Sequence, residues 1–201
     1  MSDLTPNQPL TLYDRLSVVL YRTGLAMAGG GVVAGSLLAW LDGDIVAGAG
    51  GGHRAATCVL LGTAVGISLG VWFLHLYAAR IRRRLRWVWG AALAGLVIAI
   101  LAGGNPVAFY FGHGYGVIAG GLWVACYALL CVKEGFCFHL YEGYAFAALA
   151  PLLILAHLLG LGPVTARLAG WTILALLAAV FTVRKLPQPL YYDIGDKTKY
   201  Q

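Results

Sequence analysis

Six long apolar runs, separated by short polar, proline-bearing or glycine-rich breaks, set the pattern of the chain. They fall at about Thr23 to Leu41, Ala55 to Ala79, Trp87 to Gly104, about Tyr115 to Val132, within Tyr144 to Leu161, and about Leu168 to Val183. The second run holds 25 residues without Asp, Glu, Lys or Arg. At 1.5 Å per residue that crosses a hydrocarbon core of about 30 Å. The predicted fold class is therefore an all-α polytopic membrane protein of six transmembrane helices. The layout is a 1–16 N-terminal tail with a short interfacial helix, a 17–183 transmembrane domain and a 184–201 C-terminal tail.

The breaks refine this layout. Thr11 and Asp14 have capping-box spacing, and Leu12, Leu16 and Val19 recur at helical spacing, so a short interfacial helix is expected before the first span. Gly103-Gly104-Asn105-Pro106 should end span three. The aromatic stretch 107–114 reads as the lead-in to span four, with a re-entrant segment as the alternative. Pro151 lies in the middle of span five and should kink it. After Arg184 and Lys185 the tail has two prolines and no apolar run, and an extended segment is expected.

Composition agrees with this pattern: 60% of the 201 residues are hydrophobic and only 11% are charged, with a mean hydropathy of +0.79. A soluble domain could not hide so much apolar surface. A net charge of +6 raises nucleic acid as a partner. The cations, however, sit beside the spans rather than across a basic face with interleaved aromatics, so nucleic-acid binding is not expected. Arg80, Arg82, Arg83, Arg84 and Arg86 form the densest cluster and would fix orientation and touch anionic lipid. With both termini cytoplasmic, the inside set comprises these five with Arg15, Arg22, Lys133, Arg184, Lys185, Lys197 and Lys199. Only Arg54 and Arg167 are left outside. Arginine at a span centre costs roughly 2.5 to 3.5 kcal/mol, so the bias is informative. The expected location is the bacterial inner membrane, crossed several times.

The 28 glycines are unevenly placed. Gly31 and Gly35 in span one, Gly62, Gly66 and Gly70 in span two, and Gly112, Gly116 and Gly120 toward span four each recur every fourth residue, which lets helix backbones approach closely. The last two triplets are natural partners for one another.

Reactive side chains gather after span four. Cys131, Lys133, Glu134, Cys137, His139 and Glu142 crowd into a short connection, read as a cytoplasmic loop and candidate functional site. If helix continues there, Cys131, Glu134 and Cys137 share a face, and with His139 they would make a ligand set for zinc or another transition metal, at a spacing that matches no standard zinc motif. Alternatively these residues are interfacial charges, belt aromatics and small apolar thiols. His75, His139 and His157 are haem candidates, with His53 and His113 in loops. Asp42, Asp44 and His53 in the glycine-rich loop could hold a cation, although a solvated turn is the plainer reading. As drawn, the six spans contain no Asp, Glu, Lys or Arg, which speaks against ion-coupled transport.

The stretch Lys133 to His139, KEGFCFH, with the glycine- and tyrosine-bearing turn that follows and the six-span layout, resembles a family of small bacterial integral membrane proteins catalogued as a domain of unknown function. The resemblance implies an inner-membrane location and no established activity, cofactor or catalytic residue. The leading expectation is a non-enzymatic membrane protein that packs in the bilayer with a membrane-protein partner or a second copy of itself, using the glycine faces, the Lys133 to Glu142 connection and the tail. The alternatives are a metal- or haem-binding redox protein and a passive transporter of a small neutral solute.

Overall fold

The computed structural model describes residues 10–42, 54–76, 78–103, 105–112 and 114–194. Among these the regular structure is entirely helical: α1 (Leu12–Leu41), α2 (Arg54–Trp72), α3 (Ala79–Gly103), α4 (Pro106–Gly112), α5 (Gly114–Phe138), α6 (Tyr141–Leu158), α7 (Val164–Lys185) and α8 (Tyr191–Ile194). Six of them, α1 to α3 and α5 to α7, are long and apolar enough to cross a membrane. Large apolar side chains such as Leu101, Leu152, Leu176 and Val183 stand exposed around the bundle. Apolar surface of that extent belongs against lipid.

Several boundaries differ from expectation, each for a local reason. The interfacial helix and span one are a single helix of 30 residues, about 45 Å long. Thr11 and Asp14 form the capping box, with Asp14 N–H donating to Thr11 Oγ1 at 3.2 Å and Thr11 N–H donating to Asp14 Oδ2 at 2.8 Å. Nothing between Asp14 and Thr23 breaks the helix, because Ser17, Val18 and Tyr21 already face the core. Residues 107–112 form the separate helix α4 rather than a lead-in continuous with span four. Asn105 caps it, accepting from Val107 N–H at 3.1 Å and Ala108 N–H at 3.3 Å, and Pro106 takes the first helical position. Helix α5 runs on to Phe138, so most of the expected cytoplasmic loop is helix and only His139 and Leu140 link it to α6. Pro151 lies inside α6. After α6 the chain turns through Gly160 (φ 64°) and Gly162 (φ 76°), a left-handed backbone that glycine adopts without penalty.

Helices α1 and α2 approach each other closely. A methyl group on Gly24 would stand 2.6 Å from both the Gly66 carbonyl oxygen and the Gly70 nitrogen, and one on Gly66 would stand 2.7 Å from the Ala28 nitrogen. Backbone lies on backbone here, as small residues four apart permit. The two glycine triplets are not each other's partners. Gly66 faces α1, and Gly70 faces Leu130 of α5. Gly112 ends α4, while Gly116 and Gly120 belong to α5 and face Phe109 and Tyr110 of α4. Gly31 abuts Thr63, whereas Gly35 and Gly62 have open space around them, with Val59 Cγ1 no nearer than 4.0 Å to a methyl on Gly35. The core along the middle is aromatic and aliphatic, with the Tyr127 ring edge-on to Phe146 at 5.1 Å and to Phe181 at 6.3 Å.

Candidate functional site

Helical periodicity carries charged residues into the core at the end of the bundle where α1 begins and α7 finishes. On α1, Val18, Tyr21, Arg22 and Leu25 follow the i, i+3, i+4, i+7 rule and all are buried. On α5 the same rule joins Tyr127, Leu130, Cys131 and Glu134, and on α7 Leu174, Ala178, Phe181 and Lys185 share one face. Each stripe thus carries an ionisable group where an apolar one would be expected, within the stripe on α1 and at its end on α5 and α7. Arg22 is 6% exposed, and Glu134 and Lys185 are fully buried. The expectation that the spans hold no charge is therefore corrected: the helices run further than the apolar runs, and the added turns bring Arg22, Lys133, Glu134 and Lys185 inside.

Glu134 is the centre of the arrangement. Its Oε1 accepts from the Tyr21 hydroxyl and from Lys133 Nζ, both at 2.6 Å, and its Oε2 lies 2.6 Å from Lys185 Nζ. Lys185 also pairs with Asp193 Oδ1 and donates to Gln188 Oε1 at 3.0 Å. Asp193 comes from α8, in the tail. Its Oδ2 accepts from Arg22 Nε at 2.7 Å and Nη2 at 2.5 Å. The rest of the Arg22 fork donates to tail carbonyls, from Nη1 to Leu186 at 3.1 Å and to Gln188, and from Nη2 to Pro189 at 2.9 Å. Residues 186–194 are accordingly folded across the bundle end, which corrects the expectation of an extended segment. Phe138 floors the site, with Lys185 Nζ 3.7 Å and Lys133 Nζ 5.6 Å from its ring centroid and Tyr192 stacked on it at 6.2 Å.

Next to this network, Ser17 Oγ donates to the Asp14 carbonyl at 2.9 Å and lies 3.1 Å from His75 Nε2. Burial, and after it the Lys133 ammonium, lowers the His75 pKa from its ordinary value, partly offset by Asp193, Asp14 and Glu134. The imidazole is neutral at pH 7.

The candidate residues after span four are split by the fold. Cys131 and Glu134 face inward, whereas Cys137 and His139 are exposed. His139 adopts φ 55° in the link, a left-handed conformation uncommon outside glycine. Among the described residues no three of His, Cys, Asp and Glu are grouped to hold a metal, and the Glu134 oxygens are taken by Tyr21, Lys133 and Lys185. Glu142 pairs with the half-exposed Arg184 at 2.7 Å. The haem candidates are not paired across a pocket: His75 binds Ser17, His139 lies near Tyr141, and His157 at the opposite end meets the Phe111 carbonyl at 3.4 Å and Arg167 Nη1 at 3.3 Å. Asp44, His53 and His113 lie outside the described residues. Of the arginine cluster, Arg82 donates to the Leu76 carbonyl at 2.8 Å, Arg86 lies 5.1 Å from the Trp72 ring centroid, and Arg80, Arg83 and Arg84 are exposed at the start of α3.

The other half of the bundle is built differently. A cavity of about 200 Å³ opens between α1, α2, α4, α5, α6 and α7. Its walls are mostly apolar, among them Val59, Val124 and Phe146, and the space beside Gly35 is part of it. The polar groups at its margin are few: the Tyr110 hydroxyl, which accepts from Trp123 Nε1 at 3.3 Å, the His157 imidazole, and the hydroxyls of Ser36 and Thr63. Thr63 Oγ1 already donates to the Val59 carbonyl at 2.6 Å.

Comparison with known proteins agrees with this architecture. A family model described as an uncharacterized integral membrane protein (DUF2301) matches residues 69–201. An uncharacterized protein of Haemophilus influenzae is 28% identical over 205 residues, covering 100% of this chain and 99% of the relative. No solved structure matches.

Proposed function

The chain belongs to this family of uncharacterized integral membrane proteins, and we propose that it is a non-enzymatic member that binds a small, uncharged, largely apolar molecule within its bundle. The cavity carries this reading. A protein cavity of about 150 Å³ lined by apolar side chains stays dry and takes up benzene, so about 200 Å³ suits a solute of one ring with a small substituent. The Tyr110 hydroxyl and His157 offer one or two hydrogen bonds to orient it. The leading expectation of packing with a membrane partner drew on the glycine faces, the Lys133 to Glu142 connection and the tail; most of that connection is helix, and residues 186–194 are held to the bundle.

Trp123 and Trp171 line the cavity and report its occupancy. Bromobenzene, a heavy-atom quencher, should quench fluorescence of the detergent-purified protein with a saturable component. Gly35→Leu, which extends a side chain into the cavity, should abolish that component without lowering the unfolding midpoint. Equal saturable quenching in both proteins would sink the proposal.

We place the protein in the bacterial inner membrane with both termini cytoplasmic. The basic residues of the α1 start, the α3 start and the α7 end support this, against Arg54 and Arg167 at the opposite end. Reporters fused after Gly48 and at Gln201 should fall on opposite sides of the membrane; the same side for both would overturn it.

A further inference from the structure

The charge network divides unequally between the bundle and its tail. The spanning helices give the buried network three cations, Arg22, Lys133 and Lys185, and one carboxylate, Glu134, which pairs with the two lysines and not with Arg22. The second carboxylate is Asp193, eight residues beyond Lys185 and past the end of the last span. Its two oxygens are bound as those of a small oxyanion would be. One lies in the Nε and Nη2 fork of Arg22, at 2.7 and 2.5 Å, and the other on the Lys185 ammonium. A guanidinium fork beside an ammonium matches phosphate as well as carboxylate geometry.

We propose that Arg22 and Lys185 form an oxyanion-binding site for a phosphate group, and that Asp193 is its tethered occupant. The other groups of the network fit this role. Glu134 neutralises Lys133 and takes the Tyr21 hydroxyl, so Arg22 and the second face of Lys185 are left for the tail. The Gln188 side-chain oxygen accepts from Lys185 and would leave with the tail. If the tail lifts, three cations remain beside one carboxylate in a poorly solvated bundle end, an arrangement costly enough to require a counter-anion. Tail release and anion binding are therefore linked: a phosphate group binds where Asp193 sat and holds the tail open. A tethered carboxylate competes with an effective concentration in the millimolar range, so the wild-type protein binds free phosphate weakly. The phosphate group can belong to inorganic phosphate or to a lipid headgroup at the membrane surface.

Full-length Asp193→Asn protein tests this. By calorimetry in neutral detergent it should bind inorganic phosphate about tenfold or more tighter than wild type, because the competing occupant has been removed. If Asp193→Asn is too unstable for calorimetry, its unfolding midpoint becomes the readout, and phosphate should restore it toward wild type. Sulfate should act like phosphate, and sodium chloride at matched ionic strength should not. Mixed micelles containing phosphatidylglycerol, without free phosphate, separate the sources: tightening or rescue there alone assigns the site to a lipid headgroup, and by free phosphate alone to a soluble anion. Equal phosphate binding by both proteins, no rescue by either source, or equal rescue by chloride would each overturn the proposal.

Discussion

The two ends of the bundle solve the same packing problem in opposite ways. At the end that carries the α1 start and the tail, space between helices is filled by long charged side chains that satisfy one another: Arg22, Lys133 and Lys185 around Glu134 and Asp193. Toward the other end, side chains are short or aromatic, hydrogen bonds are few, and about 200 Å³ stays unfilled. Every removal from the first region leaves a stranded charge, whereas the second has room to spare. The polar end is thus the brittle one and the cavity end the permissive one.

The largest effect should come from Glu134→Ala, which strands the Lys133 ammonium and the Tyr21 hydroxyl and takes from Lys185 one of its two carboxylates. Breaking a buried pair costs about 3–5 kcal/mol, and the loss should appear as a collapse of denaturant resistance in detergent. A change below about 1 kcal/mol would mean that water reaches the network and would erase the contrast between the ends. Next in size, and opposite in sign, is Gly35→Leu at the cavity: filling it should leave stability unchanged or raise it by about 0.5–2 kcal/mol, read as the denaturation midpoint. A fall comparable to that of Glu134→Ala would show that the cavity end is as tightly packed as the other.

The smallest effect concerns His75. Its pKa is lowered in the fold from the ordinary value near 6.5, so the unfolded chain binds the proton more tightly. The contribution of the neutral imidazole is therefore present above about pH 6.5 and lost as the pH falls through that value toward the lowered folded-state pKa. Stability measured from pH 7.5 down to pH 5.5 should decline in wild type and decline less in His75→Gln, which cannot take up the proton. Parallel profiles would show that the imidazole is solvated in the fold.

The contrast between the ends also marks where sequence reading works. Six spans follow from hydropathy alone, and the Thr11 and Asp14 cap is local chemistry that needs no distant partner. Arg22, Glu134 and Lys185 were legible in part: each continues the apolar stripe of its helix, at i+4 from Val18, i+7 from Tyr127 and i+11 from Leu174. Counting charge as the end of a span hides that signal. The α1 and α2 contact had a similar trace in the small pair Gly24 and Ala28, less conspicuous than Gly31 and Gly35. No such trace exists for Asp193, which lies in a short polar tail, nor for the cavity, which is a deficit of volume shared by six helices.

By itself the sequence determined that the chain is helical, that it crosses the membrane six times and where its cations cluster, because apolar length and charge placement act one segment at a time against lipid and water. Which charges meet, that the tail supplies a carboxylate to Arg22 and Lys185, and that the far half keeps an open cavity were decided only by the tertiary structure. Pairing energies and packing volumes depend on distances between residues as far apart as Arg22 and Asp193, and those distances exist only once the helices have packed.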